Sequence, residues 1–91
     1  MMPMPTAAAF FVTEEEYAKL QAAYPQHFPF TYQQFVARLE QGIKDTPGVS
    51  VVKVNVNVDE FLAWCAETNV RPVGTSRAHY AALLLHRQGL N

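Results

Sequence analysis

The only cysteine of the chain, Cys65, is the most reactive side-chain type present, because a thiolate is a strong nucleophile. It follows Phe61 and Leu62 on one apolar helical stripe, and no basic residue stands at helical spacing to lower its pKa. A thiol in such surroundings stays protonated and inert. The sequence therefore predicts a packed core thiol, and one cysteine forms neither an internal disulfide nor a cysteine-based zinc site.

The three histidines are the next candidates, as metal ligands. His79 and His86 are seven residues apart, which places them on one helical face but about 10 Å apart along the axis. A metal ion needs its ligands about one turn apart on a helix or converging from different elements. His27 stands far away in the sequence. We expect no metal site and no cofactor.

Acidic pairs for acid–base catalysis are found only where helices are expected to begin. Residues 14–16 are all glutamate, and Asp59 precedes Glu60. Acids in a first helical turn are explained by the positive end of the helix dipole. The glycines are isolated, so no phosphate-binding loop is present, and no catalytic signature appears. The chain is predicted not to be an enzyme.

A binding role for nucleic acid or a small ligand is the alternative function. The last two helices resemble a helix–loop–helix, but seven Lys and Arg against eight Asp and Glu create no field that gathers nucleic acid. We therefore expect nucleic acid to be an unlikely partner. The side chains that would contact a ligand or nucleic acid are Lys53, Asn55, Asn57, Arg71, Arg77 and Arg87.

A second place for a ligand is the aromatic stretch between the first two helices. Stacked bases or a small molecule suit such rings, although aromatic residues beside prolines more often close the end of a core. The core interpretation is favoured. The residues concerned are Tyr24, Phe28, Phe30 and Tyr32.

The length and composition set the frame for these candidates. Ninety-one residues with 49% hydrophobic and 16% charged content describe one small globular domain rather than a disordered chain. No apolar run approaches the roughly 18 residues of a membrane span. No basic residue precedes Lys19, so a secretory signal is not expected. Together with the single cysteine, this favours a cytoplasmic protein and no membrane partner.

Two capping boxes predict the first pair of helices. Thr13 with Glu16 begins a helix that ends near Tyr24, and Thr31 with Gln34 begins one that ends near Lys44. Glu15 and Lys19 are expected to pair across one turn. The second helix has the clearest apolar stripe of the chain, which predicts a core-facing helix. The stripe consists of Tyr32, Phe35, Val36, Leu39 and Ile43.

Two segments are candidate strands. Residues 49–58 contain six valines, which predicts a strand with one polar face. Residues 7–12 form a short apolar run that is either a strand or a lead-in to the first helix, and we favour a strand. The valine strand needs a partner, which is this segment, a second copy of the chain, or both.

The last two helices complete the predicted domain. The third helix is capped by Asn57 or Asp59 and ends at about Thr68; its inner residues are Phe61, Leu62, Cys65 and Ala66. The fourth helix is capped by Thr75 or Ser76 and ends at about Gln88, and Gly89 is its C′ residue. The predicted class is therefore α+β, in the order β-α-α-β-α-α, with a two-stranded sheet that dimerisation can extend. Residues 1–6 are predicted to be a flexible tail and residues 7–91 a single domain.

The last helix also predicts self-association. Three consecutive leucines spread over about 200° of its surface, whereas a monomer needs an apolar stripe of only about 100°. A homodimer, and a complex with another protein, are the expected partners. The predicted interface is Tyr80, Leu83, Leu84 and Leu85. The preferred function is a small non-catalytic interaction module that acts as a homodimer or within a complex.

Overall fold

Six elements follow one another in the predicted order β-α-α-β-α-α, which confirms the α+β class. A computed structural model describes residues 5–87. Three predicted features lie outside the described residues: the end of the last helix at Gln88, its C′ residue Gly89, and residues 1–4 of the tail. The elements are β1 (Thr6–Phe11), α1 (Glu14–Ala23), α2 (Tyr32–Lys44), β2 (Ser50–Asn55), α3 (Val58–Thr68) and α4 (Gly74–Arg87).

The two strands pair in parallel, with Thr6 opposite Ser50 and Phe11 opposite Asn55. The preference for a strand in the short apolar run is thus confirmed. The strand begins at Thr6, a residue that the sequence placed in the tail. A parallel pair needs a long crossover, and α1 and α2 form it.

The valine strand is shorter than predicted. β2 ends at Asn55 rather than Val58, because Asn57 is the N-cap of α3 and accepts a hydrogen bond from the Glu60 amide at 3.0 Å. Val58 is consequently the first residue of α3 and is fully buried. The choice of Asn57 over Asp59 as the cap is thereby settled.

The cap of α1 differs from the predicted capping box. Thr13 does accept from the Glu16 amide, at 3.3 Å, but the Glu16 carboxylate accepts from the Val58 N–H at 2.7 Å instead of reaching back. Lys19 pairs with Glu16 at 3.0 Å and with Asp59 at 3.3 Å rather than with Glu15. These contacts attach α1 to the start of α3.

The core lies where the sheet meets α1, α3 and α4. Phe61 of α3 contacts Phe10 of β1 and Tyr80 of α4, with ring centroids 4.9 and 5.2 Å apart. Cys65 is buried as predicted, whereas Ala66, which was placed on the inner stripe of α3, is exposed. The buried apolar residues are Phe10, Val12, Tyr17, Leu20, Phe28, Val54, Val56, Val58, Phe61, Cys65, Tyr80, Ala81 and Leu85.

Helix α2 departs most from its prediction. Its capping box at Thr31 and Gln34 is present in full, yet no residue of the helix is buried. The predicted stripe does face the core, since Tyr32 and Phe35 pack against it, but it is not closed, because Phe35 and Leu39 are only half-buried. A groove separates Leu39 and Ile43 of the helix from the alanines of β1, whose small side chains do not fill it.

The last helix begins at Gly74, so Thr75 and Ser76 lie inside its first turn and do not cap it as predicted. Tyr80, Ala81 and Leu85 are its buried residues. Within residues 5–87, no helix is long and apolar enough to cross a membrane.

Candidate functional site

A cleft of about 340 Å³ opens between α2 and α4, with β1 at its floor. Both of its side walls are helical, and the connection between α1 and α2 closes one end. The lining residues are Ala8, Ala9 and Phe10 of β1; His27, Phe28 and Phe30 of the connection; Phe35, Arg38 and Leu39 of α2; and Gly74, Arg77 and Ala78 of α4.

Arg77 occupies the α4 wall of the cleft and is half-buried. Its Nη1 donates to the Pro72 carbonyl at 3.2 Å, and its Cζ lies 5.1 Å from the centre of the Phe28 ring. Burial lowers the pKa of the Arg77 guanidinium from its ordinary value. The group remains charged, because an arginine side chain does not lose its proton in a protein.

Arg38 stands on the α2 wall. Its Cζ lies 4.3 Å from the centre of the Phe30 ring, which is a close cation–π contact. Each of the two guanidinium groups thus lies over a phenylalanine ring of the segment Phe28-Pro29-Phe30, within the range of a cation–π contact. Such a contact uses the ring face and leaves N–H groups of the guanidinium able to donate to a ligand.

The segment that carries these two rings is held in place by polar contacts. The Gln21 side chain donates to the carbonyls of Phe28 and Phe30, at 3.2 and 2.7 Å. The Tyr17 hydroxyl donates to the same Phe30 carbonyl at 2.7 Å. With Phe28 only 2% exposed, the platform under the arginines is anchored in the core. The cleft is therefore built before any ligand arrives.

The cleft has positive charge and no acid to balance it. None of its lining residues is an aspartate or a glutamate. In the described part of the chain, the ion pairs are formed by Lys19 and Lys53, and neither Arg38 nor Arg77 has an acidic partner. Arg38 is exposed, but Arg77 is partly buried, and a partly desolvated cation without a counter-charge is costly. An anion in the cleft would supply that counter-charge.

A second groove of about 310 Å³ continues the cleft along α2. The two share Ala8, Ala9, Arg38 and Leu39, and the groove then extends past Ala7 and Gly42 to Ile43, Thr46 and Val51. Cleft and groove together follow β1 over most of its length, with Arg38 standing at their junction.

Of the six side chains predicted to contact a ligand or nucleic acid, only Arg77 lines the cleft. Lys53 pairs with Glu40 and lies near the Phe11 ring, and Asn57 is engaged as the cap of α3. Asn55, Arg71 and Arg87 are exposed. Arg87 is ten residues along α4 from Arg77, about 15 Å away.

Arg38 was missed by the sequence reasoning. Arg38 is the only charged residue between Lys19 and Glu40, but it stands outside the apolar stripe of α2 and is exposed, so its sequence position alone indicates a solvated face. Its pairing with Arg77 depends on the tertiary fold.

The aromatic stretch between α1 and α2 contains both a core residue and a residue that lines the cleft. Phe28 is buried, as a core residue would be, while Phe30 is half-buried and lines the cleft. Tyr32 is half-buried and donates its hydroxyl proton to the Val12 carbonyl at 2.8 Å. Tyr24 is exposed, with its ring 6.0 Å from that of His27.

The predicted interface residues of α4 divide into two pairs. Tyr80 and Leu85 are buried within the single chain, 3% and 4% exposed. Leu83 and Leu84 are half-buried. Leu84 packs against the core of the chain, so Leu83 is the residue of the predicted interface that is neither buried nor packed against the core.

The remaining reactive groups lie outside the cleft, apart from His27 at its end. Burial raises the pKa of the Cys65 thiol, which keeps it protonated. The His79 ring lies 5.5 Å from that of Trp64. Among residues 5–87, no three His, Cys, Asp or Glu side chains come together as a metal site would require.

Comparison with known proteins gives no relative: no family model matches the chain, and neither a curated protein nor a solved structure is significantly similar to it.

Proposed function

We propose that the protein is a non-catalytic binding module whose cleft takes an organic anion, a carboxylate or a phosphate ester, attached to an apolar group. The observation that carries this proposal is the pair Arg38 and Arg77. Both line one cleft, both make cation–π contacts with phenylalanine rings, and neither has an acidic partner in the described residues.

The chemistry of arginine supports an anionic ligand. A guanidinium offers its N–H groups in a planar fork that matches the two oxygens of a carboxylate or phosphate. Arg38 makes its close contact with the Phe30 ring face, and Arg77 commits one nitrogen to the Pro72 carbonyl. Donors of both side chains are therefore available to a bound anion.

The rest of the lining supports an apolar group on the same ligand. Ala8, Phe10 and Leu39 present hydrocarbon to the cleft. Its volume of about 340 Å³ falls in the range of small-molecule sites, which are mostly apolar with a few placed polar groups. A bare inorganic anion would leave this apolar surface in contact with water.

Ligand-induced thermal stabilisation tests the proposal, with 4-phenylbutyrate and phenyl phosphate as probes. At ten times its Kd, a ligand of the native state adds about 1.4 kcal/mol to the free energy of unfolding. For a domain of this size that raises Tm by about 6–11 °C. The neutral 4-phenylbutanamide has the same shape as the first probe without its charge, and should give little shift.

Variants connect the effect to the cleft. Arg38→Ala and Arg77→Ala should each abolish most of the stabilisation, while Arg87→Ala, on the same helix as Arg77 but outside the cleft, should keep it in full. The proposal fails if neither anion stabilises the protein, or if the amide and the acid stabilise it equally.

Self-association is a second candidate role, favoured by the edge of β2. In the described chain this strand pairs only with β1, and an isolated two-stranded sheet is marginal by itself. Two copies that pair along β2 would form a four-stranded sheet around a two-fold axis. Light scattering after size exclusion should give twice the 10.2 kDa chain mass. A species with the single-chain mass at micromolar concentration would contradict it.

A further inference from the structure

The outer edge of β1 is the feature that the anion proposal leaves unused. The Ser50 amide donates to the Pro5 carbonyl and the Val56 amide to the Phe11 carbonyl, both at 2.9 Å. In a parallel ladder every second residue bonds to the same neighbouring strand. The odd-numbered residues of β1 therefore face β2, and the peptide groups of Ala8 and Phe10 point to the opposite edge.

That opposite edge borders the cleft, which is lined by Ala8, Ala9 and Phe10 of β1 and by no residue of β2. The groove, in contrast, is lined by Ala7 together with its β2 neighbour Val51, so it lies over the face of the sheet. Within residues 5–87, no turn, loop, helix end or side chain hydrogen-bonds to Ala8 or Phe10.

An unpaired strand edge beside a cleft is suited to one kind of occupant. Backbone N–H and C=O groups that are shielded from bulk water need hydrogen-bond partners. An extended peptide provides them at regular spacing, because it can add to the edge as a further strand about 4.8 Å away. The alanines of β1 leave the space beside α2 in which this strand would lie.

We propose that the ligand is the carboxyl-terminal segment of a partner peptide, which adds to the free edge of β1 and places its terminal carboxylate between Arg38 and Arg77. The carboxylate part of this inference rests on the proposed function; the strand part rests on the β1 edge alone. The apolar cleft walls then receive the last side chains of the peptide.

The added strand completes a three-stranded sheet in which β1 is the central strand.

The test uses a synthetic array of acetylated hexapeptides with free carboxyl termini and randomised side chains. The strongest binder is then made again in two forms, as the terminal amide and as a series with one backbone N-methyl group at each position. The amide should bind at least about tenfold more weakly, because it loses a charge-assisted hydrogen bond to arginine. N-methylation leaves the protein unchanged, so no failure to fold can obscure the result.

The N-methyl series carries the signature of strand addition. Methyl groups at alternate positions should weaken binding about tenfold or more, and those between them should be tolerated, because every second N–H of an added strand faces β1. Amide hydrogen exchange of Ala8 and Phe10 should slow in the complex with the peptide and remain unchanged with 4-phenylbutyrate.

The outcomes separate this inference from the function on which it rests. If 4-phenylbutyrate binds and no array peptide does, strand addition is wrong and the anion site stands. Equal binding of acid and amide, or N-methyl sensitivity without alternation, also overturns the inference. If neither peptides nor small anions bind, both proposals fail.

Discussion

Helix α2 has a clearer apolar stripe than helix α3, yet α3 is the helix whose stripe is buried. Phe61 and Cys65 of α3 are 0% and 2% exposed, whereas no residue of α2 is buried. The α3 stripe meets large partners, Phe10 and Tyr80.

The α2 stripe meets Tyr17 through Phe35, with ring centroids 4.8 Å apart, but farther along, at Leu39 and Ile43, it faces only the small alanines of β1 across the groove. An amphipathic pattern tells which face of a helix turns inward, but the residues opposite decide whether that face is closed.

The half-open face of α2 is where the candidate site lies. A closed core leaves no room for a ligand, and a fully exposed face neither encloses a ligand nor removes it from water. Between α2 and β1 the protein keeps a cavity with apolar walls and two cations. The closed α3 region and the half-open α2 region should therefore respond differently to substitution.

The largest effect is expected from Phe61→Ala. The ring is completely buried and contacts Phe10, Trp64 and Tyr80. Its removal should destabilise the protein by about 3–5 kcal/mol, enough to unfold a domain with a small stability margin. Urea denaturation followed by circular dichroism measures this loss. A loss below about 1 kcal/mol would mean that α3 is not part of a closed core.

The buried thiol gives a smaller effect on the same side of the comparison. Cys65→Ala should cost about 1–2 kcal/mol through the cavity it leaves. In the native wild-type protein, Cys65 should react with a thiol reagent only as fast as the protein unfolds, because burial shields it and raises its pKa. Rapid labelling at neutral pH without denaturant would contradict this assignment.

Leu39→Ala examines the open side. A closed, core-facing stripe would make this change cost about 2–4 kcal/mol, which is the value that the sequence pattern implies. Since Leu39 is half-buried on the cleft wall, we expect about 1 kcal/mol. Leu85→Ala, at a leucine that is 4% exposed, is the matched control and should cost about 2–4 kcal/mol. Equal losses of unfolding free energy in the two variants would show that Leu39 is as closely packed as Leu85.

The smallest effect is a pH dependence at the contact between α1 and α3. The hydrogen bond from the Val58 amide, followed by the Lys19 contact, holds the pKa of Glu16 below its ordinary value of 4.5. A lowered carboxyl pKa stabilises the native state above the unfolded value, and this contribution is lost as the pH falls through the folded pKa. Glu16→Gln should flatten that part of the stability curve between neutral and acidic pH.

The control for this measurement is Glu15→Gln, which removes a charge from the same helical turn without touching the Val58 hydrogen bond. Urea midpoints measured across the acid range should follow the wild-type curve for this variant. If both variants change the curve alike, the effect belongs to the net charge of the turn rather than to the Glu16 contact.

Local rules explain which parts of the fold were predictable. Thr13, Thr31 and Asn57 are caps in the structure because capping depends on a few neighbouring residues. The partner of the Glu16 carboxylate was not predictable, since the Val58 amide is 42 residues away in the chain. The candidate site was least accessible of all: Arg77 was considered for its charge, but its convergence with Arg38 arises only when α2 and α4 face each other across β1.

The most direct test of the account observes the arginine side chains themselves. Each of the four arginines has an Nε–Hε group that gives its own signal in a ¹⁵N-labelled sample. On titration with 4-phenylbutyrate, the signals of Arg38 and Arg77 should move together and saturate, while those of Arg71 and Arg87 stay in place. The amide 4-phenylbutanamide should move none of them. If Arg38 and Arg77 do not respond, or if all four arginines respond alike, the cleft is not an anion-binding site.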